Sequence, residues 1–327
     1  MSGRDVLPIV VIGGLLALIP FGVASNTLLN FLVFTLIIAI AAQGWNVLGG
    51  YGGQISFGHS AFFGTGAYAT AILQVHAGVN AWLAFGLGIL AGALVGLAIG
   101  ALSFRAGLRG SYFALITLAF AEVFRIVANT IPLTGAATGI LIKLDARPVN
   151  FQFHSRAAFF WIGLVIMLVA LIATRALERS RFGAFLVALR ENEDAAKALG
   201  VDTLRVKLGA ITLSAAITGA AGCLYAQYFL YLDPTIAYGV WISVEALLAP
   251  IVGGLGTAFG PLIGALTLHG LGNLTSLLVG RVPGIDLVVY GILLVLVIAF
   301  APTGLVGLAH RVRDRMRQRT ALSAGAA

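Results

Sequence analysis

The residues of this chain that can do chemistry are few and unevenly placed. Its 327 positions hold twelve Asp or Glu, twenty Lys or Arg, five His and one Cys. Three acids, Glu122, Glu245 and Asp286, fall within or at the ends of long apolar runs. A carboxylate inside a membrane is costly and usually functional, so a carrier driven by an ion gradient would use such residues. Glu122 lies three positions before Arg125, a spacing that pairs the two on one helix face. Glu245 and Asp286 lie near run ends, where they reach water. His269 has no partner within its own run, which suits a structural role. Gln54, Ser56 and His59 stand beside glycines at the start of an interrupted apolar run. Exposed helix-end backbone there, with these three side chains, offers hydrogen bonds to a polar solute. His59 equally suits satisfying a backbone carbonyl. No cluster of His, Cys and carboxylate has metal-site spacing. No nucleophile stands beside a base, and no Gly-x-x-x-x-Gly-Lys-Ser/Thr loop occurs. The chain is therefore not expected to be an enzyme alone, and any ATP that drives it is hydrolysed by another polypeptide.

The elements that position these residues follow from composition. Hydrophobic residues make up 60% of the chain and charged ones 10%, and the mean hydropathy is +1.01. A soluble domain carries about 25% charged residues. The apolar residues come in blocks of about 20, the length that crosses a bilayer as a helix. The short alternating strands of a β-barrel, the other way to span lipid, are not seen. We expect an all-α, polytopic integral membrane bundle in one domain over residues 1–327. Ten crossings are expected, near residues 6–24, 28–48, 54–74, 81–104, 111–130, 157–174, 207–230, 241–258, 261–280 and 286–306. The third, fifth and eighth are interrupted by Gly or polar residues and can be short, broken or re-entrant. The first run lacks a clear cleavage site and is expected to be retained. Forty-two glycines suit close helix packing in lipid. Cys223, in an apolar run, reads as a small buried residue.

Charge orients the bundle. With Arg4 on the cytoplasmic side, ten crossings put residues 105–109, 175–207 and the tail 308–327 there too, in accord with the positive-inside rule. The tail carries Arg311, Arg313, Arg315, Arg317 and Arg319 against Asp314. It is expected to touch anionic lipid, and the net charge of +8 does not point to nucleic acid. Both termini are expected in the cytoplasm. The outside segment, 131–156, still holds Lys143, Arg147 and Arg156. Two glycine-rich stretches, near residues 52–58 and 253–260, look alike, and this topology places both at the cytoplasmic edge.

One segment breaks the apolar pattern, residues 179–207. Phe182, Phe185, Leu186, Leu189, Ala196 and Leu199 recur at three- and four-residue steps, with Arg190, Glu191, Asp194 and Lys197 mostly elsewhere on the wheel. Glu193 precedes Lys197 by four residues, a favourable surface pair. Gly200 stands where a left-handed cap belongs. A single amphipathic helix over residues 183–199 is expected. It would lie on lipid or dock in a partner's groove. Its charge is mixed, with Glu191, Glu193, Asp194 and Asp202 among the bases, and that favours a protein partner.

Residues 193–200 (EDAAKALG) resemble the Glu-Ala-Ala…Gly coupling loop of ATP-binding-cassette importer permeases. Residues 188–201 (ALRENEDAAKALGV) look like the version in branched-chain amino acid permeases of the M type. Residues 53–68 (GQISFGHSAFFGTGAY), 108–125 (LRGSYFALITLAFAEVFR), 253–261 (GGLGTAFGP) and 302–307 (PTGLVG) are similar to further family blocks, in the expected order. The resemblance implies a subunit of an importer for branched-chain or related amino acids in the bacterial inner membrane. Permeases of the same type also serve urea or short amides. It further implies two ATP-binding subunits that hold ATP and Mg, a second related permease, and a periplasmic or lipid-anchored solute-binding protein. It binds no cofactor itself. On this reading Arg190, Glu191, Glu193, Asp194, Ala195, Ala196 and Gly200 couple to the ATPase. Gln54, Ser56, His59, Tyr112, Thr117, Glu122 and Thr138 line the solute path. One stretch departs from the family: residues 134–140 read TGAATGI, with Ala where a central Gly is usual. If that stretch lines the path, the solute can differ.

Overall fold

The structure, a computed structural model, describes residues 3–22, 25–279, 284–301, 303–308 and 311. Each of the ten apolar runs holds a helix. In chain order the helices are α1 (Gly3–Ala17), α2 (Ile19–Gly22), α3 (Asn26–Trp45), α4 (His59–Val75), α5 (Ala81–Arg105), α6 (Gly110–Thr130) and α7 (Arg156–Glu178). They continue as α8 (Arg181–Glu191), α9 (Glu193–Ala198), α10 (Thr203–Phe229), α11 (Pro234–Ala237), α12 (Val240–Gly253), α13 (Gly260–Val279) and α14 (Ile285–Phe300). Among the described residues, six stretches are long and apolar enough to cross a membrane: Asn26–Tyr51, Ala81–Arg105, Gly110–Thr130, Arg156–Glu178, Thr203–Phe229 and Pro234–Gly253. The protein is a polytopic helical membrane protein. The basic tail falls almost wholly outside the described residues, as does the side chain of Asp286.

The interruptions are placed differently from expectation. α3 runs on through a π-helical stretch, Asn46–Tyr51, and the chain stays non-helical until His59 starts α4. The eighth run is short, with Pro250 inside α12 and α11 before it. The fifth run, expected to be broken, is the unbroken α6. Its polar side chains are served within the helix: Thr117 donates to the Ala114 carbonyl at 2.8 Å, and Arg125 pairs with Glu122. A two-stranded antiparallel ribbon was not anticipated. β1 (Ile140–Leu141) pairs with β2 (Tyr231–Leu232), Ile140 opposite Leu232 and Leu141 opposite Tyr231. It joins the long α6–α7 connection to the end of α10, at the end of the bundle away from α8 and α9.

The core forms around α10, which packs on α3, α4 and α5. Small residues permit this. A Cβ at Gly66 would lie 2.4 Å from the Gly219 carbonyl oxygen, and one at Gly222 would lie 2.0 Å from the Phe63 carbonyl oxygen. On α5, Gly88, Gly92, Gly96 and Gly100 recur every four residues and are turned to α4 and α10. In lipid, apolar burial gives little drive to association, so dispersion between closely placed backbones must supply it. Cys223 is buried at this seam, as expected, its thiol 3.3 Å from the Gly66 carbonyl oxygen.

The seam predicts a contrast within one helix. A Cβ at Gly88 would meet Thr70, Cys223 and the Gly66 carbonyl at 2.3–2.8 Å, whereas Gly86 has nothing within 4 Å. Gly88→Leu should destabilise the detergent-solubilised protein by about 3 kcal/mol or more. Gly86→Leu should leave the thermal melting midpoint within a degree or two. Equal midpoints for the two variants would refute the close packing of α5.

Candidate functional site

The site begins with how residues 180–201 fold. Ser180 caps α8 by accepting from the Gly183 amide at 3.0 Å, and Leu186 and Leu189 are buried beneath it. The single helix expected over residues 183–199 is instead two. Asn192 is extended, with φ −159° and ψ 107°, and its side chain accepts from the Ala195 amide at 3.0 Å. Asn competes with the helix in this way and is a preferred N-cap. Glu193 and Asp194 then sit in the first turn of α9, where the helix dipole favours acids. The signal was present in the sequence as Asn followed by two acids. Gly200, at φ +87°, ends α9 as expected, in a conformation that strains other residues.

Ion pairs fasten the two short helices to the bundle. Glu193 does not serve Lys197. Its carboxylate meets Lys207 Nζ at 2.6 Å and Arg109 Nε at 3.4 Å. The Lys207 and Glu193 side chains are only 5% and 16% exposed, and the ammonium also lies 5.4 Å over the Phe104 ring. Asp194 adds a second contact to Arg109 at 3.1 Å. α9 is thereby tied to the start of α10 and to the α5–α6 turn. Arg190 ties α8 elsewhere. Its Nη1 donates to the Gly50 carbonyl at 3.0 Å, while Nε and Nη2 hold Glu191. Gly50 lies in the π-helical stretch that ends α3, and Asn46 joins that stretch to the second glycine-rich stretch: Asn46 accepts from the Gly256 amide and donates to the Thr257 carbonyl, both at 2.9 Å. Ala196 is buried against the bundle and Ala195 is exposed.

The free side of this assembly is mostly apolar. Phe182, Phe185, Leu199, Val201 and Val206 line an open groove of about 400 Å³ together with the ion pair of Asp202 and Arg205. Leu199 is 87% exposed.

The expected solute-path residues divide into two groups. Gln54, Ser56, His59 and Thr117 come together around the non-helical residues 53–58. Trp45 Nε1 donates to the Ser56 carbonyl at 2.8 Å, and the Phe57 amide donates to Thr117 Oγ1 at 3.2 Å. Gln54 Nε2 donates to the Gly52 carbonyl at 3.3 Å. His59 Nε2 meets Ser214 Oγ at 2.8 Å, a hydroxyl in place of the backbone carbonyl, and its Nδ1 is buried without a partner. The start of α4 is further held by α12, where Ser243 Oγ accepts from the Ser60 amide at 2.8 Å. Tyr112, Glu122 and Thr138 lie apart. Tyr112 is 75% exposed on α6, and Thr138 sits at the ribbon end with its hydroxyl on the Gly135 carbonyl. Glu122 holds Arg125 through both carboxylate oxygens, with side chains 41% and 29% exposed. A charged residue at the bilayer centre costs about 2.5–3.5 kcal/mol.

Glu245 also differs from expectation. It turns inward, its carboxylate 3.4 Å from His269 Nε2, with both side chains largely buried beside Phe34. The two residues stand on different helices, so spacing alone carried no signal of the pair.

The Glu193 clamp makes a prediction. Lys207 would be left as a buried charge by Glu193→Gln, a change worth about 3 kcal/mol or more. Amide exchange across residues 193–200 should then accelerate at least about tenfold. Lys207→Met should do less, because Glu193 keeps Arg109. Equal, unchanged exchange in both variants would remove the clamp.

Residues 27–298 match the family described as branched-chain amino acid transport system / permease component. The Escherichia coli K12 high-affinity branched-chain amino acid permease LivM is 31% identical over an alignment covering 76% of this chain and 63% of LivM. LivH of Salmonella typhimurium is 27% identical, covering 82% and 91%. The E. coli ribose import permease RbsC is also 27% identical, covering 77% and 78%. No solved structure matches the chain. The alignment thus spans less than two thirds of LivM's own length. A family match across most of the bundle, including the glycine-rich turns and the α8–α9 clamp, means that this chain belongs to the branched-chain amino acid transport system permease component family.

Proposed function

We propose that this protein is the membrane-spanning permease subunit of an ATP-driven importer for branched-chain or related amino acids. One observation carries the reading: among the described residues, two strongly polar helices on an apolar bundle, α8 and α9, are clamped to it by buried charge yet present an open, mostly apolar groove outward. A helix meant only for lipid would need no such clamp. A helix that receives force from a partner needs both a groove and a rigid root. The named relatives support the solute class.

The partners on this reading are two ATP-binding subunits, a second related permease and an external solute-binding protein. The α8–α9 end faces the cytoplasm of a bacterial inner membrane, with both termini on that side, and the ribbon end faces out. ATP-driven closure of the ATPases moves α8 and α9 as a rigid body, and the bundle switches between two packings. Gln54, Ser56, His59 and Thr117 lie where that motion meets the start of α4, and they contact the solute or the gate before it. An ion-driven carrier is a weaker reading, because Glu122 is already paired with Arg125 and such a carrier leaves the α8–α9 clamp unexplained.

Two measurements test this. In proteoliposomes holding the complete complex, leucine uptake should require ATP and persist when ionophores collapse the ion gradients. Uptake that survives ATP depletion and stops with the ionophore would overturn the reading. Separately, Leu199→Asp should cut ATPase co-purification at least about tenfold, as expected for an exposed hot spot, with the permease still inserted. Undiminished co-purification would show that the groove is not the docking surface.

A further inference from the structure

The outward face of α6 is unlike that of its neighbour α5. The exposed face of α5 carries Leu83, Leu87, Leu90, Leu94 and Leu97, all aliphatic and suited to lipid. The exposed face of α6 carries Tyr112, Leu115, Ala119, Glu122 and Ile126 at alternating three- and four-residue steps, with Arg125 beside Glu122. Glu122 stands twelve residues from the start of α6, about 18 Å along its axis at 1.5 Å per residue. That places the ion pair near the middle of an apolar layer about 30 Å thick. An ion pair partly exposed at that depth does not face acyl chains.

The pair is also incompletely used. Arg125 gives Nε and Nη2 to the two Glu122 oxygens. Among the described residues Nη1 has no partner, and a carboxylate retains outward lone pairs. The arrangement is neutral overall, presents one positive and one negative edge side by side, and is flanked by Leu115, Ala119, Val123 and Ile126.

We propose that this face of α6 is a wall of a water-filled solute passage, and that Glu122 and Arg125 form a station in it for a zwitterionic α-amino acid. Arg125 Nη1 receives the solute carboxylate and Glu122 receives the ammonium, while the aliphatic neighbours take an apolar side chain. The neutral pair holds the zwitterion without trapping either charge. This rests on the amino-acid permease reading above.

Cys223 is the only cysteine and is buried, so a Cys223→Ala background permits single-cysteine probing in the complete complex. A membrane-impermeant, charged thiol reagent should label Ala119→Cys and Ile126→Cys, and spare Leu90→Cys and Leu94→Cys. Saturating leucine during ATP turnover should slow labelling at position 119 severalfold. Glu122→Gln and Arg125→Gln should each lower leucine uptake at least tenfold with the complex still assembled. The exchange Glu122→Arg with Arg125→Glu keeps an ion pair but reverses its edges, and it should not rescue uptake. Failure to label positions 119 and 126 while uptake stays ATP-dependent would overturn the passage and leave the permease reading intact. Rescue by the exchange would reduce the pair to a helix-stabilising contact. Absence of ATP-dependent leucine uptake in the unaltered complex would overturn both readings.

Discussion

The close approach of α4, α5 and α10 is the constraint on which the rest of the bundle hangs. Gly66 and Gly219 bring two backbones together, and Gly88 to Gly100 bring in a third. Nothing like water-driven burial holds helices together in lipid, so the contact must be intimate to be stable. This seam fixes where the other elements start. The second turn of α10 carries Lys207, and the turn after α5 carries Arg109. Both therefore arrive at one end of the bundle in fixed relation, and Glu193 can bridge them.

Local patterns in the sequence were enough for the parts of this protein that local physics decides. A run of about 20 apolar residues declares a helix wherever it stands, and all ten runs contain one. Gly200 announced its left-handed turn, and the three-residue spacing of Glu122 and Arg125 announced their pairing. Most of the failures share one cause. Glu193 chose Lys207, fourteen residues away, over Lys197 on its own helix. The partner beyond the next turn, Lys207, is almost fully buried beside Phe104 and needs an acid, whereas Lys197 is exposed and can be served by water. Asn46 to Gly256, Glu245 to His269 and the ribbon between β1 and β2 are likewise contacts between distant positions. No periodicity encodes them, because they depend on how helices pack after each has formed. The break at Asn192 is a different error. Its capping signal is local, but the amphipathic period on either side of it is strong enough to mask it.

The residues expected in the solute path split for a physical reason as well. Gln54, Ser56, His59 and Thr117 cluster because residues 53–58 leave the helix and their backbone groups must be satisfied inside the bundle. Thr117 and Trp45 do that work for Phe57 and Ser56. Such a segment is costly to bury, and its hydrogen bonds are partly local, from Gly58 to Ser56 and from Gln54 to Gly52, and partly to α3 and α6 through Trp45 and Thr117.

That division bears on how force applied at the groove would reach the membrane. α9 is rooted through Glu193 on α10 and on the α5–α6 turn, whereas α8 is rooted through Arg190 on the π-helical end of α3. α10 and α5 are locked together by close packing and move as one body if they move at all. The π-helical end of α3 lies outside that glycine seam and leads into the non-helical residues 53–58. A displacement of the α8–α9 pair would therefore be resisted at Lys207 and taken up at Gly50 to Gly58. On the proposed reading, α8 and α9 would act as a lever with its pivot at the Glu193 clamp and its moving arm at Arg190. The break at Asn192 lies between these two attachments.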